Sequence, residues 1–218
     1  YTLPLPRKFQ AEGVRKYGYH GLSYEYLMQT LTKTLHEPVA LQKIILAHLG
    51  NGSSLTAVSG GQSIDTSMGF TPTGGVPMST RSGDLDPGLF EYFTKTHGMS
   101  PDAFHHMINF ESGVLGVSDS TADMEVLIKN ASQDPHAEEA VAFYAYHVKK
   151  QIGALTAVLG GVDVLVFSGG IGERGADVRR RVCEGLEYLG ISIDASLNET
   201  NSLRISSASS RVILYVVP

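Results

Sequence analysis

Arg81 sits in the run Ser79-Thr80-Arg81-Ser82-Gly83-Asp84, at the end of a long stretch rich in Gly, Pro, Ser and Thr. A guanidinium there can grip a carboxylate through two parallel N–H bonds or offset charge spread over a transferring phosphoryl group. A solvated surface arginine is the plainer alternative. His20 lies between glycines in Tyr17-Gly18-Tyr19-His20-Gly21, a coil segment that suits a side-chain donor better than a core position. Two glycine loops add anion-binding chemistry. In His48-Leu49-Gly50-Asn51-Gly52-Ser53-Ser54, small residues can wrap a phosphate with backbone donors while His48 and Asn51 add side-chain donors, although a common hairpin turn fits the same residues. In Ser168-Gly169-Gly170-Ile171-Gly172-Glu173, glycines let the backbone approach an anion. A helix beginning near Ala176 would then aim free N–H groups and its positive dipole end at that anion. A tight strand-to-helix turn is the bland reading of that loop. A sharper rival is G-x-G-x-x-G at Gly170, Gly172 and Gly175, with Asp194 placed to hold a ribose. Few residues remain beyond it for the further strand-helix units a dinucleotide site needs. Asp84 and Asp86 could be offered as a metal pair, but Asp86 before Pro87 is the better helix cap.

These residues need elements to hold them. Leu27, Leu31 and Leu35 share one side of a helix over residues 22–35, closed by Pro38. Residues 43–49, 53–59 and 62–65 read as three meandering strands, turning at the first glycine loop and at Gly60-Gly61. The stretch 68–83 is too long for a simple turn and reads as a functional loop or lid. A helix starts at Asp86-Pro87 and ends at Gly98, and short helices follow near residues 101–108 and 123–130. A longer one over 137–159 places Val141, Tyr144, Val148, Ile152, Leu155 and Leu159 on one face and stops at Gly160-Gly161. The valine-rich run 162–167 predicts a strand covered on both faces, the segment after the second glycine loop a helix ending at Gly190, and 211–217 a last buried strand. Together they predict one α/β domain, a mixed sheet flanked by helices, with a helical insertion at about 86–136.

With 42% hydrophobic and 18% charged residues, the 218-residue chain can bury a substantial core. A net charge of -5 with dispersed basic residues leaves no electrostatic footprint for nucleic acid or an anionic membrane. The lone Cys183 falls in a core-facing helical pattern, so no disulfide framework or cysteine metal site is expected. No apolar run approaches the roughly 20 residues that span a bilayer, which with the cysteine usage points to the cytoplasm. The start without methionine and the stop after a strand-like run are expected of a piece of a longer protein.

Taken in order, the blocks RKYGYHGLS, HLGNGSSLTAVSGGQSIDTSMGFTPTGGVPMSTRSGDLDP and FSGGIGERGADVRRRVCEGLEYLGI resemble the acetate and propionate kinase family. That resemblance covers nearly the whole chain. It implies a ribonuclease H-like fold of the sugar kinase and actin type, with ATP or ADP bound in a cleft between two related domains. This chain would then be the second, C-terminal domain. It further implies reversible in-line phosphoryl transfer from ATP to a short carboxylate, acetate being favoured, and a homodimer. By resemblance, Arg81 and His20 would be catalytic, Arg81 on the carboxylate and the transition state and His20 on the transferring phosphoryl group. His48, Asn51 and Gly52 would line the phosphate path, while Gly170, Ile171, Gly172 and Glu173 would hold the nucleotide.

Several positions depart from the family's blocks. A family segment like SSDMRD reads Ser118-Asp119-Ser120-Thr121-Ala122-Asp123 here, leaving Ser120 and Ala122 where an acid and an arginine are expected beside the nucleotide, unless Asp119 substitutes. GIGEN has become Gly170-Ile171-Gly172-Glu173-Arg174, and Tyr24 replaces a second histidine. The family's first phosphate loop, its other carboxylate-binding arginine, the aspartate near Mg2+ and a late glutamate all fall outside residues 1–218. No metal ligand is therefore assigned, and the 218 residues alone are expected to be inactive. A non-catalytic nucleotide-binding or dimerisation module of the same fold, and a propionate or butyrate kinase, stand as alternatives.

Overall fold

A sheet strand buried on both faces needs apolar residues in succession, and two segments meet that demand: β1 (Lys43–Leu49) and β4 (Val164–Ser168). In the computed structural model, which describes residues 1–218, they pair in parallel at the centre of a five-stranded sheet. β2 (Ser53–Ser59) and β3 (Gln62–Thr66) extend it antiparallel on one side and β5 (Ile213–Val216) parallel on the other, in the order β3-β2-β1-β4-β5. The β2–β3 turn uses Gly60 and Gly61, both at positive φ, as a tight hairpin demands. The last two strands are shorter than the apolar runs suggested, although just beyond their ends Asp163 N still bonds Lys43 O of β1 and Val217 N bonds Phe167 O of β4.

The pleat divides the side chains between two layers. Ile45, Ala47, Leu49, Leu165 and Phe167 point into a cluster of 30 buried residues beneath α7 (Pro135–Leu159). Asp134 caps α7 by accepting from His136 N at 2.9 Å, Pro135 occupies its first turn, and Gly160 ends it in the left-handed region. α5 (Gly113–Ser118), α6 (Met124–Asn130) and α9 (Ala176–Cys183) pack on the same layer. Ile44, Leu46, Val164 and Val166 point the other way, toward Leu27 and Leu31 of α2 (Gly21–Lys33) in a cluster of nine.

Other elements refine the sequence reading. The helix expected to run to Gly190 stops at Cys183. Glu184 is extended, Gly185 has φ +80°, and a 3₁₀ turn Glu187–Leu189 follows, so Leu186 reaches the core from a turn. Short α1 (Arg7–Ala11), a π-helical turn Met107–Glu111 and α10 (Ala195–Glu199) carry too little periodicity to be foreseen. α3 (Gly88–His97), α4 (Pro101–His106) and α6 fall within the stretch read from the sequence as helical, and neither α3 nor α4 buries a residue completely. The dinucleotide alternative fails on two counts. Half of the sheet is an antiparallel meander, and Asp194 caps α10 through Leu197 N at 3.0 Å instead of waiting for a ribose.

The segment expected as a loop or lid is a packed strap. Met68, Val76 and Met78 are buried, and Met78 and Ser79 carbonyls accept from Val114 and Leu115 at the start of α5. Gly113 makes this approach possible: at φ +62° a Cβ there would lie 2.2 Å from Met78 O and 2.5 Å from Arg81 O. Gly98 has a similar φ of +64° with open space around it. Gly98→Ala is therefore expected to cost about 1–2 kcal/mol, the ordinary left-handed cost. Gly113→Ala should cost about 1–3 kcal/mol more through forced displacement of the strap. Urea denaturation of the two variants makes the comparison, and equal losses would contradict the packed strap.

Candidate active site

Because β1 and β4 run side by side with His48 opposite Ser168, both chains leave the sheet at the same edge, and both leave through glycine. Gly169 has φ +76°, and a Cβ on it would sit 2.7 Å from Leu49 O, so only glycine lets the two corners touch. A Cβ on Gly50 would lie 3.9 Å from Gly170 N, bringing the first loop against the second. The second loop is itself helical. α8 (Gly169–Arg174) starts directly after β4, and Gly175 breaks it before α9, where the sequence predicted one turn and a helix from Ala176.

Arg179 explains how so glycine-rich a helix is held. Fully buried on the inward face of α9, it donates to Gly172 O and Glu173 O at 2.7 and 2.8 Å. It also donates to Asn198 Oδ1, Asn198 O and Asn201 Oδ1 at 2.7–2.8 Å. Burial pushes its pKa down to about 10, which still leaves it charged at neutral pH beside the negative end of α8. Sequence reasoning passed over Arg179. The available signal was its place next to Val178 on the apolar stripe of α9, where a solvated arginine does not belong.

Across the corner, His20 precedes α2 in the left-handed conformation, φ +63°, with its ring stacked on His48 at 4.2 Å between centroids. His20 Nδ1 bonds Ser54 Oγ at 2.8 Å and His48 Nδ1 bonds Ser23 Oγ at 2.9 Å, which leaves the Nε2 atoms toward the glycine corners. The Cβ that Gly52 lacks would lie 3.1 Å from Arg81 Nη2 and 3.3 Å from His20 Nε2. Guanidinium and imidazole thus converge over bare backbone. Arg81 Nη1 donates to Pro72 O at 2.9 Å, and no ion pair of the molecule involves Arg81. Asn51 ties the first loop to the strap, its backbone and side-chain oxygens accepting from Ser79 at 3.2 and 3.3 Å.

The structure therefore brings together His20, His48, Asn51, Gly52 and Arg81, and sets Gly170, Ile171, Gly172 and Glu173 beside them on α8. Ser120 follows the C-terminal end of α5, after Asp119 at φ +52°, and its N–H makes a weak local bond to Ser118 Oγ. Asp84 accepts from Gly75 N within the strap at 2.8 Å and Asp86 accepts from Gly88 N at 2.7 Å, while Pro87, not the expected Asp86, is the N-cap residue of α3. An unpaired guanidinium, donor nitrogens and open backbone at a two-loop corner can bind a polyanion and stabilise developing negative charge.

A family model described as the Acetokinase family matches residues 1–218. The chain belongs to this family. It is similar to the acetate kinase of Thermoanaerobacterium thermosaccharolyticum, 43% identical over 223 residues, covering 100% of this chain and 56% of that one. It is also similar to the propionate kinase of Citrobacter rodentium, 40% identical over 219 residues, covering 100% and 54%. The crystal structure of Porphyromonas gingivalis acetate kinase superposes with a TM-score of 0.94 at 39% identity, covering 100% of this chain and 55% of that one. The ribonuclease H-like fold expected from the sequence is thereby established, and the chain spans about half the length of the curated relatives it matches.

In this acetokinase-family chain the surroundings of both stacked histidines favour the neutral imidazole. Burial, then His48 and then Arg81, lower the His20 pKa from 6.5 to about 4. Burial also lowers that of His48, with Glu173 opposing. Below pH 6.5 the unfolded chain takes up a proton that the folded His20 refuses, so the contribution of His20 to stability falls as pH drops from about 6.5 toward 4, then levels off. Urea denaturation of the full-length protein across this window should show a shallower pH slope for His20→Gln than for wild type. Identical slopes would contradict the buried neutral imidazole.

Proposed function

We propose that this chain is the second domain of an acetate kinase, forming one wall of a cleft in which ATP passes its γ-phosphoryl group to acetate, giving acetyl phosphate and ADP. The observation that carries this reading is the convergence of Arg81 Nη2 and His20 Nε2 over Gly52, with no carboxylate of the protein neutralising the arginine. Arg81 binds the acetate carboxylate and meets the charge that spreads over the phosphoryl oxygens in flight, and His20 hydrogen-bonds those oxygens. His48, Asn51 and Gly52 line the phosphate path. Gly170, Ile171, Gly172 and Glu173 hold the nucleotide, with Ser120 on its base and ribose side. Such catalysis consists of positioning and electrostatics, which suits rigid glycine corners.

Mg2+ is part of the proposed chemistry, offsetting charge on the nucleotide phosphates. No group of three or more His, Cys, Asp or Glu side chains in this chain could hold a metal ion, so the ligands are placed in the domain that completes the cleft. The same reading takes the protein to be a cytoplasmic homodimer. Propionate is the competing acceptor, favoured by the propionate kinases among the similar proteins. One methylene changes discrimination by only about 1–3 kcal/mol, so a coupled ADP-release assay with acetate, propionate and butyrate decides between them.

In the full-length protein, Arg81→Ala is expected to lower turnover with acetate roughly 10²–10³-fold, while calorimetry shows Mg-ATP affinity unchanged within a few-fold. Parallel loss of both would point to a nucleotide-binding module instead. The 218 residues alone should give no turnover in the same assay, and robust activity from them would refute the half-cleft reading.

A further inference from the structure

Ser54 carries the only fully buried hydroxyl that touches His20, and it has two partners. His20 Nδ1 lies 2.8 Å away, and the Tyr24 hydroxyl makes a very short contact from the other side. Tyr24 is placed there by the helix: its backbone N–H bonds His20 O at 3.0 Å, so the two side chains stand one turn apart, ring edge to ring face.

The protons in the chain of groups can be counted. If His20 donated from Nδ1 to Ser54 and Ser54 donated onward to Tyr24, the tyrosine proton would have no protein acceptor, since Ser54 is the one protein partner of that hydroxyl. If His20 and Tyr24 both donated to Ser54, the serine proton would be stranded in a fully buried position. Only Tyr24 Oη–H to Ser54 Oγ, and Ser54 Oγ–H to His20 Nδ1, gives each proton shared among the three groups a protein acceptor, and it leaves the His20 Nε2 proton facing the open spot over Gly52. Burial that drives the Tyr24 pKa far above its ordinary value keeps its proton in place to begin the relay.

We propose that Tyr24 is a positioning residue which, through Ser54, holds His20 as the neutral tautomer protonated on Nε2, so that the imidazole presents a donor to the spot over Gly52 that Arg81 Nη2 also faces. The opposite tautomer would present a lone pair there and repel an anionic oxygen. The relay thus sets the sign of the ring's interaction with a phosphoryl or carboxylate oxygen, and this consequence rests on the function proposed above.

The test is a long-range ¹H–¹⁵N spectrum of the imidazole rings in the full-length protein at pH 7, with the His20 signals assigned by their disappearance in His20→Gln. The expected result is a proton on Nε2 and an unprotonated Nδ1 in wild type. Tyr24→Phe should bring a population with the proton on Nδ1, together with a fall in kcat of roughly tenfold at unchanged Mg-ATP affinity, the scale of one hydrogen bond in the transition state. A wild-type His20 protonated on Nδ1, or a Tyr24→Phe spectrum identical to wild type, overturns the relay. Because the spectrum needs no turnover, the two readings separate. The expected tautomer in a protein inert toward all three carboxylic acids defeats the proposed function alone, and an active protein with the wrong tautomer defeats the relay alone.

Discussion

Parallel pairing of β1 with β4, in the register that sets His48 beside Ser168, obliges two chain segments to turn away at one edge of the sheet within a few ångströms of each other. Side chains at those corners would collide, and glycine is the residue that permits the meeting: Gly169 against Leu49 O, and Gly50 near Gly170 N. The strap that carries Arg81 obeys the same constraint one step further out, since its carbonyls lie against Gly113. Take away this register and the guanidinium, the paired imidazoles and α8 no longer share a corner.

The charge arrangement follows from that crowding. Arg179 lies beneath α8 with its donors on neutral oxygens, so its positive charge is hydrogen-bonded without being cancelled. Arg81 faces the corner with a single backbone carbonyl as partner. With surroundings that favour neutral imidazoles at His20 and His48, the corner carries positive potential from two arginines, and the imidazoles add directional hydrogen bonds without additional charge. Elsewhere arginine is used conventionally: Arg181 spans α9 and α7 through Glu138 at 2.6 and 2.8 Å.

What could be read from residues alone was whatever local pattern dictates. The runs of β1 and β4, the cap and stop of α7, and the Gly98 terminus of α3 each follow from a few neighbouring residues, and the site's members came from the glycine loops and the flanked His20. The misses share a different cause, in that tertiary packing decided them. Gly185 looks like a tolerable helix glycine until the chain must turn for Leu186 to reach the core. The strap looks mobile because its composition is that of a loop, yet its rigidity comes from Gly113, about thirty positions away. Arg179 reads as one of three consecutive arginines, and only the fold reveals which of them is inside.

The two layers of the sheet are unequal, thirty buried residues beneath α7 against nine beneath α2. A helix anchored chiefly by Leu27 and Leu31 forms a cooperative unit that can open at lower free energy than the strands it covers. His20 begins that helix, whereas Val76 of the strap that carries Arg81, and Leu49 and Ile171 beside the glycine corners, pack in the larger cluster. Fluctuations of the shallow layer would therefore withdraw the His20 imidazole while the rest of the corner stays in place, so that the full set of groups at the corner and the integrity of the fold need not be lost together.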